Sequence, residues 1–542
     1  MKRPANHPDI ILYNGVLATW HTRRQTEQAI AVGHGKILAL GPDADVLDLA
    51  GSDTEKIDLK GRLVVPGFID SHIHFYEWAM NRQGLKLEDL TCLDDLLVHV
   101  GEAAGNHPRA QWILGQGWNE TDWTEPRMPD RRVLDRAAPN HPVLLWRCDL
   151  HLAVANSAAL KLAEITTDTP DPPEGRIERD DTGEPTGILR ELAINLVREA
   201  IPSPDSGQVM AAFKDAAKAL HRRGVTGIHD IRLMADKDGA KAFQVFQALD
   251  QQARLDLRCW VTLPGHELDR IIDLGLRTGF GNERLRVGHV KFFSDGGMGA
   301  RTAWLIDPYQ DADRGMPLVD MERLEQDIHR ADKAGLAVMV HAVGDRANRE
   351  LVNMFESLES HRTLANHPPP AVPHRIEHVQ MIRPKDIDRL RSLNVALCVT
   401  PANMVLDMNL IDTALGERGQ WTYCFRQLMD SGAPVIFSSD CPVCDPDPLK
   451  GIHAAVTRQR VDGTPQEGWW PDSRVTVVEA LKAYTITPSM VHNAYEIGAI
   501  APYKRADLVV LSENVMDIPV SQIKHVQVDM TLFDGRIVHR KF

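Results

Sequence analysis

Eight short apolar runs, each ending in polar residues, cross the middle of this 542-residue chain and constrain its fold more than any other feature. Helical patterns such as MAAFKDAAKALHRRG (210–224) and LEQDIHRADKAG (324–335) lie between them. Strands that alternate with helices predict repeated βα units. The predicted strands are LVVPGFIDSHIHF, GVTGIHDI, RLDLRCWVTL, LRVGHVKFFSDGG, LAVMVHAVGD, HRIEHVQ, NVALCVTP and APVIFSSDCPV. We therefore predict an α/β fold built on a (β/α)8 TIM barrel, with its chemistry at the C-terminal ends of the strands.

The two ends of the chain share another pattern, in which short β-rich runs are separated by glycine turns. Gly535 follows Asp534 in one such turn, a dipeptide typical of a hairpin. We predict that residues 1–65 and 491–542 supply the two halves of one small β-sandwich. The barrel then comprises residues 66–490.

Residues about 85–215 are far more than a βα crossover requires, and they are rich in Trp and Pro. We predict that they form an inserted subdomain over the mouth of the barrel. Trp118 and Trp123 in this insert indicate either contact with an apolar or aromatic part of a substrate or a core of the insert itself.

Composition excludes some partners. The net charge of −14 argues against nucleic acid and anionic membranes, and it favours a small-molecule substrate. The first residues lack the apolar core of a signal peptide, and no run reaches membrane-spanning length, so we expect a cytoplasmic protein. Seven scattered cysteines fit reduced thiols. The Cys441 and Cys444 pair lacks a second pair at zinc-ribbon spacing, which favours ordinary buried thiols.

His72 and His74 stand one residue apart at the end of the first predicted strand, where both imidazoles point the same way and reach one metal ion. With 23 histidines in 542 residues, chance alone gives roughly one such pair, so the pair depends on its context. Four further polar residues end predicted strands in barrel order: Lys291, His341, His378 and Asp440. Any one of them is more often structural, but the whole set predicts a metal site.

Several motifs together resemble the amidohydrolase superfamily, and within it the YtcJ-like branch that includes N-substituted formamide deformylases. They are VVPGFIDSHIHF, PTGILRE, KFFSDGGMGARTAWL, HAVGDRAN, RIEHVQM, FSSDCPV and ADLVVL, and they span nearly the whole chain. The resemblance implies that His72 and His74 bind one metal ion, that His341 and His378 bind a second, and that Lys291 bridges both as a carbamate. Asp440 is then the catalytic carboxylate. For Lys291 the alternative is an ammonium paired with Asp295.

The resemblance implies hydrolysis of an amide-type C–N bond in an N-acyl, N-formyl, cyclic amide or carbamate compound. A metal ion lowers the pKa of bound water and so supplies hydroxide, while Asp440 carries the proton to the departing amine.

Zinc suits the ligands best, although the identity of the divalent metal and the number of ions, one or two, remain open. Esterase, lactonase, lyase and isomerase reactions fit the same residues. A non-catalytic binding protein would predict a lost ligand, and none of the six is lost. The exterior of a barrel also offers a face for a homodimer.

Substrate contacts are expected from three residues. His151 matches the histidine of a family segment that usually reads DGH, with Leu150 in place of the glycine, and a packing role is its alternative. His229, at the end of the second predicted strand, is assigned to the substrate or to support of the metal site, and a purely structural role is its alternative. Trp118 is the third.

After the seventh strand the family commonly has a QPxH-type segment, whereas this chain reads TPAN at 400–403, and we expect a usual polar contact to be missing there.

Overall fold

The computed structural model describes residues 7–20, 27–82, 84–232 and 239–542. Its central sheet has eight parallel strands whose order in space follows their order in the chain. We number them β1 (Phe68–Ile73), β2 (Val225–Asp230), β3 (Arg258–Pro264), β4 (Leu285–Phe293), β5 (Val338–Ala342), β6 (His374–His378), β7 (Val395–Val399) and β8 (Val435–Phe437). Seven lie within the eight apolar runs and β3 extends one residue beyond its run, so the predicted (β/α)8 barrel is confirmed.

The barrel closes where its first strand meets the chain that follows its last. The backbone N–H of Asp440 donates to the carbonyl of His72 over 2.8 Å, and that of His74 donates to the carbonyl of Cys441 over 2.7 Å. Residues of the candidate site therefore form the seam between β1 and β8.

The first predicted strand is in fact two. Leu63–Pro66 pairs with Leu508–Leu511 in a sheet outside the barrel, and β1 begins at Phe68. Gly67 separates them, and a Cβ built on it would lie 2.1 Å from Oγ1 of Thr226. The close approach of β2 requires glycine at this corner.

Helices surround the barrel, and further helices belong to the insert and to the sandwich. The helix Ser206–His221 begins with a capping box, in which Asp205 and Gln208 each accept a hydrogen bond from the other's backbone N–H. It buries Phe213 and Leu220 against the barrel. The other helices of at least eight residues are Leu93–Asn106, Gly239–Gln251, Met321–Lys333, Asp345–Ala365, Pro401–Leu415 and Pro448–Thr457. Shorter helices are Asp43–Leu47, Phe75–Asn81, Arg131–Ala137, Ser157–Leu162, Ala193–Arg198, Leu268–Asp273, Pro384–Ile387, Phe425–Asp430, Val477–Ala483 and Ile486–Val491.

Both chain ends build one β-sandwich, as predicted. A four-stranded sheet contains Lys36–Gly41, Ala29–Gly33, Ile10–Tyr13 and Glu55–Asp58 in that order. A five-stranded sheet contains Val16–Leu17, Leu63–Pro66, Leu508–Leu511, Val528–Phe533 and Arg536–Arg540. Val32 and Met530 share its apolar core. Asp534 and Gly535 both have positive φ, at 50° and 75°, which matches the predicted hairpin turn.

The inserted subdomain has its own six-stranded sheet. Its strands, in spatial order, are Gly175–Arg179, Pro185–Glu191, Leu152–Ala155, Val143–Arg147, Ile113–Trp118 and Leu85–Lys86. Apolar clusters separate from that of the barrel pack on this sheet. The loop after Val143–Arg147 reaches the mouth of the barrel, so the insert supplies one wall of the cavity described below.

Two further expectations concern the whole chain. All seven cysteines are free, with Cys441 buried and Cys444 partly buried. In the described part of the chain, no helix is both long enough and apolar enough to cross a membrane.

Candidate metal centre

All six predicted residues come together at the C-terminal mouth of the barrel. They are His72, His74, Lys291, His341, His378 and Asp440, and each is at least nine-tenths buried. All six line one cavity of about 720 Å³. The strand ends thus bring together side chains that are up to 368 residues apart in the chain, from His72 to Asp440.

The carboxylate of Asp440 lies at the centre of the histidines. Its Oδ1 is 3.4 Å from Nε2 of His72 and 3.3 Å from Nε2 of His74, and its Oδ2 is 3.9 Å from Nδ1 of His378. One ligand atom each from His72, His378 and Asp440 lies within 4.8 Å of the other two. Imidazole nitrogens and a carboxylate at such spacing suit a divalent transition metal.

Burial keeps the imidazoles in the state that binds metal. It lowers the pKa of His72, His341 and His378 well below the usual value, and the positive charge of Lys291 adds to the effect. Neutral imidazole is the form that coordinates a cation. Burial alone would raise the pKa of Asp440, but the hydrogen bond from His74 and the charges of neighbouring groups outweigh it and lower the pKa.

The amine of Lys291 is buried without a hydrogen-bond partner in the described structure. Its Nζ lies 4.6 Å from the centre of the Phe293 ring, and burial lowers its pKa to about 8. Asp295, the alternative partner, instead accepts backbone N–H bonds of 2.8 to 3.0 Å from Trp304, Val343 and Gly344. The proposed ammonium pair with Asp295 is therefore not formed. A buried amine that has no hydrogen-bond partner and lies beside histidines is suited to covalent conversion into a metal ligand.

Residues behind the histidines fix their orientation. Nδ1 of His72 hydrogen-bonds to Glu377, and Arg375 donates two bonds of 2.8 Å to the same carboxylate. Nδ1 of His74 donates to the carbonyl of Ile231 over 3.1 Å. With both Nδ1 atoms engaged, the Nε2 atoms face Asp440, as in metal sites where a second group fixes the tautomer.

Sequence reasoning missed Glu377 and Arg375. The available signal was the pair of charged residues inside the run HRIEHVQ, because charges within a buried strand require partners.

The backbone is left-handed at two of the site residues. His378 and Asp440 have φ of 69° and 57°, and Val379 beside His378 has φ of 44°. A β-branched residue adopts this region rarely. Non-glycine residues in this region are concentrated at functional sites, where the surrounding structure holds them.

His151 lies at the wall that the insert supplies. Its Nδ1 is 2.7 Å from Glu191, and although burial by itself lowers its pKa, the Glu191 carboxylate raises the pKa to about 9. Leu150, which replaces the family glycine, has φ of 64°. The loop therefore keeps a conformation that glycine adopts easily, in spite of the substitution.

His229 and Trp118 lie elsewhere. His229 has no exposed surface and contacts Arg375 and His492, with its Nδ1 2.6 Å from Nη1 of the arginine. Trp118 is fully buried with its ring centre 6.2 Å from that of Trp123, in the core of the insert. Neither side chain lines the cavity.

Asn403 supplies a polar contact where we expected one to be missing. It occupies the last position of TPAN, at the first turn of the helix Pro401–Leu415, and its Nδ2 donates to Oδ2 of Asp440 over 3.2 Å. An amide thus stands where the family segment has histidine.

These features together define a metal-dependent hydrolase scaffold, and the comparisons agree. Residues 55–539 match the model of the Amidohydrolase family. The chain belongs to this family.

Its relatives are similar over nearly their whole length. The chain is 32% identical to the protein LONG AFTER FAR-RED 3 of Arabidopsis thaliana, over 94% of this chain and 88% of the relative. It is 31% identical to the putative amidohydrolase YtcJ of Bacillus subtilis, over 98% and 99%. It is 29% identical to the N-substituted formamide deformylase of Arthrobacter pascens, over 97% of each. The crystal structure of an uncharacterized metal-dependent hydrolase from Pyrococcus horikoshii superposes with a TM-score of 0.74 at 27% identity, covering 94% of this chain and 99% of that one. The resemblance to the YtcJ-like branch is confirmed.

Proposed function

We propose that this protein is a metal-dependent hydrolase that cleaves an amide-type C–N bond in a small molecule, with an N-acyl, N-formyl, cyclic amide or carbamate group. The observation that carries the proposal is the position of Asp440. Its carboxylate lies 3.3 to 3.9 Å from the nearest nitrogens of three imidazoles that line the same cavity. The relative named as a formamide deformylase supports the same class of bond.

The six residues would hold one or two divalent ions, and zinc is our first choice. When bound there, such an ion lowers the pKa of water and polarises a carbonyl oxygen. Lys291 would contribute after its neutral amine adds carbon dioxide, which forms an N–C bond and releases one proton. Its unpartnered amine and its pKa of about 8 support this, because neutral amine is accessible near physiological pH.

Asp440 would move the proton of the reaction. Because its pKa is lowered, it is ionised at neutral pH and accepts the proton of the attacking water. The same carboxyl group then donates that proton to the departing nitrogen. The hydrogen bond from Asn403 keeps Oδ2 in a fixed direction.

His151 would support the substrate carbonyl. With a pKa of about 9 it carries a positive charge at neutral pH, and it faces the cavity close to His341, with 5.4 Å between ring centres. A fixed cation at this wall stabilises the negative charge that develops on the carbonyl oxygen.

Metal analysis of the purified protein, followed by a screen of amides, carbamates, esters and lactones, tests the proposal. We expect bound divalent metal and hydrolysis of amides, and Asp440→Asn should keep most of the metal but lose at least about a hundredfold in kcat. Hydrolysis of esters or lactones alone would assign a different bond. Absence of both metal and Asp440-dependent activity would refute the proposal and favour a non-catalytic binding protein.

A further inference from the structure

A second, smaller cavity of about 450 Å³ shares His151, His341, His378 and Asp440 with the first. We call it the acceptor lobe. Its other polar lining groups are Asp149, Gln380, Asn403 and Asp407. Of the polar groups in the lobe, the proposed mechanism uses only the shared site residues and the amide of Asn403.

Asn403 leaves an acceptor unused. Its Nδ2 donates to Asp440, so its Oδ1 is the opposite end of the amide. This oxygen is buried and has no hydrogen-bond partner in the described structure. Asn403 as a whole residue is 9% exposed. A buried carbonyl oxygen without a donor carries a free-energy cost that a bound N–H group would relieve.

Asp407 is the second acceptor. Its Oδ2 accepts hydrogen bonds from Tyr423 over 2.6 Å and from Gln380 over 2.8 Å. Within the described residues its Oδ1 has no hydrogen-bond partner, and no cationic side chain lies within ion-pair distance of it. Burial raises its pKa to about 6, so it is still mostly ionised at neutral pH.

The other carboxylate of the lobe has a partner at each oxygen. Oδ2 of Asp149 accepts a bond of 2.8 Å from Arg147, which also pairs with Glu120, and its Oδ1 accepts from the backbone N–H of His151 over 3.2 Å. Among the described residues, Asp407 is therefore the carboxylate of the acceptor lobe that keeps an oxygen without a partner.

We propose that the acceptor lobe binds an ammonium group on the departing-amine side of the substrate, held by Asp407 and by Oδ1 of Asn403. An ammonium offers three N–H donors and a positive charge, and it matches two unused acceptors of which one is anionic. Because Asn403 also contacts Asp440, a group bound there places the scissile nitrogen next to the carboxyl group that protonates it. The assignment of the lobe to the departing amine rests on the proposed function.

Binding without turnover tests this inference separately from the reaction. Metal-loaded Asp440→Asn protein is titrated calorimetrically with N-(3-aminopropyl)acetamide and with N-butylacetamide, which has a methyl group where the first has ammonium. We expect at least about tenfold tighter binding of the ammonium compound, in line with a hydrogen bond to a charged group. Equal binding of the two amides would overturn the inference, and the proposed function would stand or fall on the amide screen alone.

The second arm adds Asp407→Asn to the same background. This isosteric change removes the charge and should abolish the preference while leaving the affinity for N-butylacetamide within about twofold. The matched control is Asp412→Asn, which removes a charge from the same helix at an exposed position whose Oδ1 accepts from Trp469. A preference that persists in Asp407→Asn, or that Asp412→Asn abolishes equally, would overturn the assignment. Thermal unfolding of each variant separates loss of the preference from loss of the fold.

Discussion

The carboxylate of Glu377 joins Nδ1 of His72 to the guanidinium of Arg375, which donates two bonds of 2.8 Å to it. All three side chains are buried. The orientation of the first candidate metal ligand therefore depends on a neighbour that cannot itself reach the cavity.

Replacing Glu377 with glutamine tests this dependence. The amide fills the same space but accepts more weakly, so we expect the affinity for metal to fall by about 10- to 100-fold while the fold is retained. Competition with a chelator measures the change. Glu356→Gln, which disturbs an ion pair with Arg389 outside the site, should leave metal affinity unaltered. Unchanged affinity in Glu377→Gln would show that His72 is oriented by other contacts.

Carbon dioxide should affect the loading of the site through Lys291. Protein freed of metal and reconstituted in buffer without carbon dioxide is expected to bind less metal and to hydrolyse amides more slowly than protein reconstituted with bicarbonate. Lys291→Arg, whose guanidinium does not form a stable carbamate, should show no response to bicarbonate. Identical metal content of the wild-type protein under both conditions would argue against a carbamate.

The charge of His151 predicts an alkaline limit of activity. Because its pKa is raised to about 9, the imidazolium is present below that pH and is lost as the pH rises through it. We expect kcat/KM to fall over this range. Glu191→Gln removes the main cause of the raised pKa, so the fall should move to lower pH. A pH profile whose alkaline limb is the same in both proteins would contradict a role for the charged imidazole.

Stability should depend on a buried ion pair remote from the site. Asp332 accepts hydrogen bonds of 3.1 Å from Nε of Arg362 and also contacts His374. Burial by itself raises the pKa of Asp332, but the bonds from His374 and Arg362 outweigh it and lower the pKa to about 2. Asp332→Asn should reduce the free energy of unfolding at neutral pH by about 3 kcal/mol, because the buried Arg362 then keeps only the more exposed Glu359 as a counter-charge.

The sign of the pH effect follows from the lowered pKa. The carboxylate stabilises the fold fully above the unfolded-state pKa of about 4, and this contribution is lost as the pH falls towards 2. Denaturant unfolding of wild type and variant should therefore converge at acidic pH. Asp327→Asn, which affects a more exposed pair with Arg330, should cost less than about 1 kcal/mol. A constant difference between wild type and Asp332→Asn at every pH would contradict the assignment.

Sequence periodicity was sufficient for the barrel because each of its strands is an apolar run that ends in polar residues. It could not locate the break at Gly67, since Leu63–Pro66 and the start of β1 form one continuous apolar run whose two parts enter different sheets. The six site residues could be found because strand ends of a barrel converge by geometry. Glu377 and Asn403 could not be assigned in the same way, because their partners are determined by side-chain direction and by the angle of a helix.

The two tryptophans illustrate the same limit. The composition of the insert left open whether Trp118 faces a ligand or a core, and only the packing of its sheet places it against Trp123. Likewise His229 ends a barrel strand as predicted, but its contacts with Arg375 and His492 lie inside the barrel rather than at its mouth.

The hydrogen bonds that close the barrel have a consequence for how the protein loses function on warming. Each neighbouring pair of strands from β1 to β8 is joined by three to five residue pairs, whereas the backbones of β1 and β8 meet through short contacts at Asp440, Cys441, His72 and His74. The weakest joint of the barrel is thus the place where Asp440, the proposed proton carrier, faces its histidines. Separation of β1 from β8 by about an ångström would abolish activity. The other strands, the sandwich and the far-UV circular dichroism signal would be retained. Loss of activity should therefore precede global unfolding, because β1 separates from β8 locally while the rest of the structure stays folded.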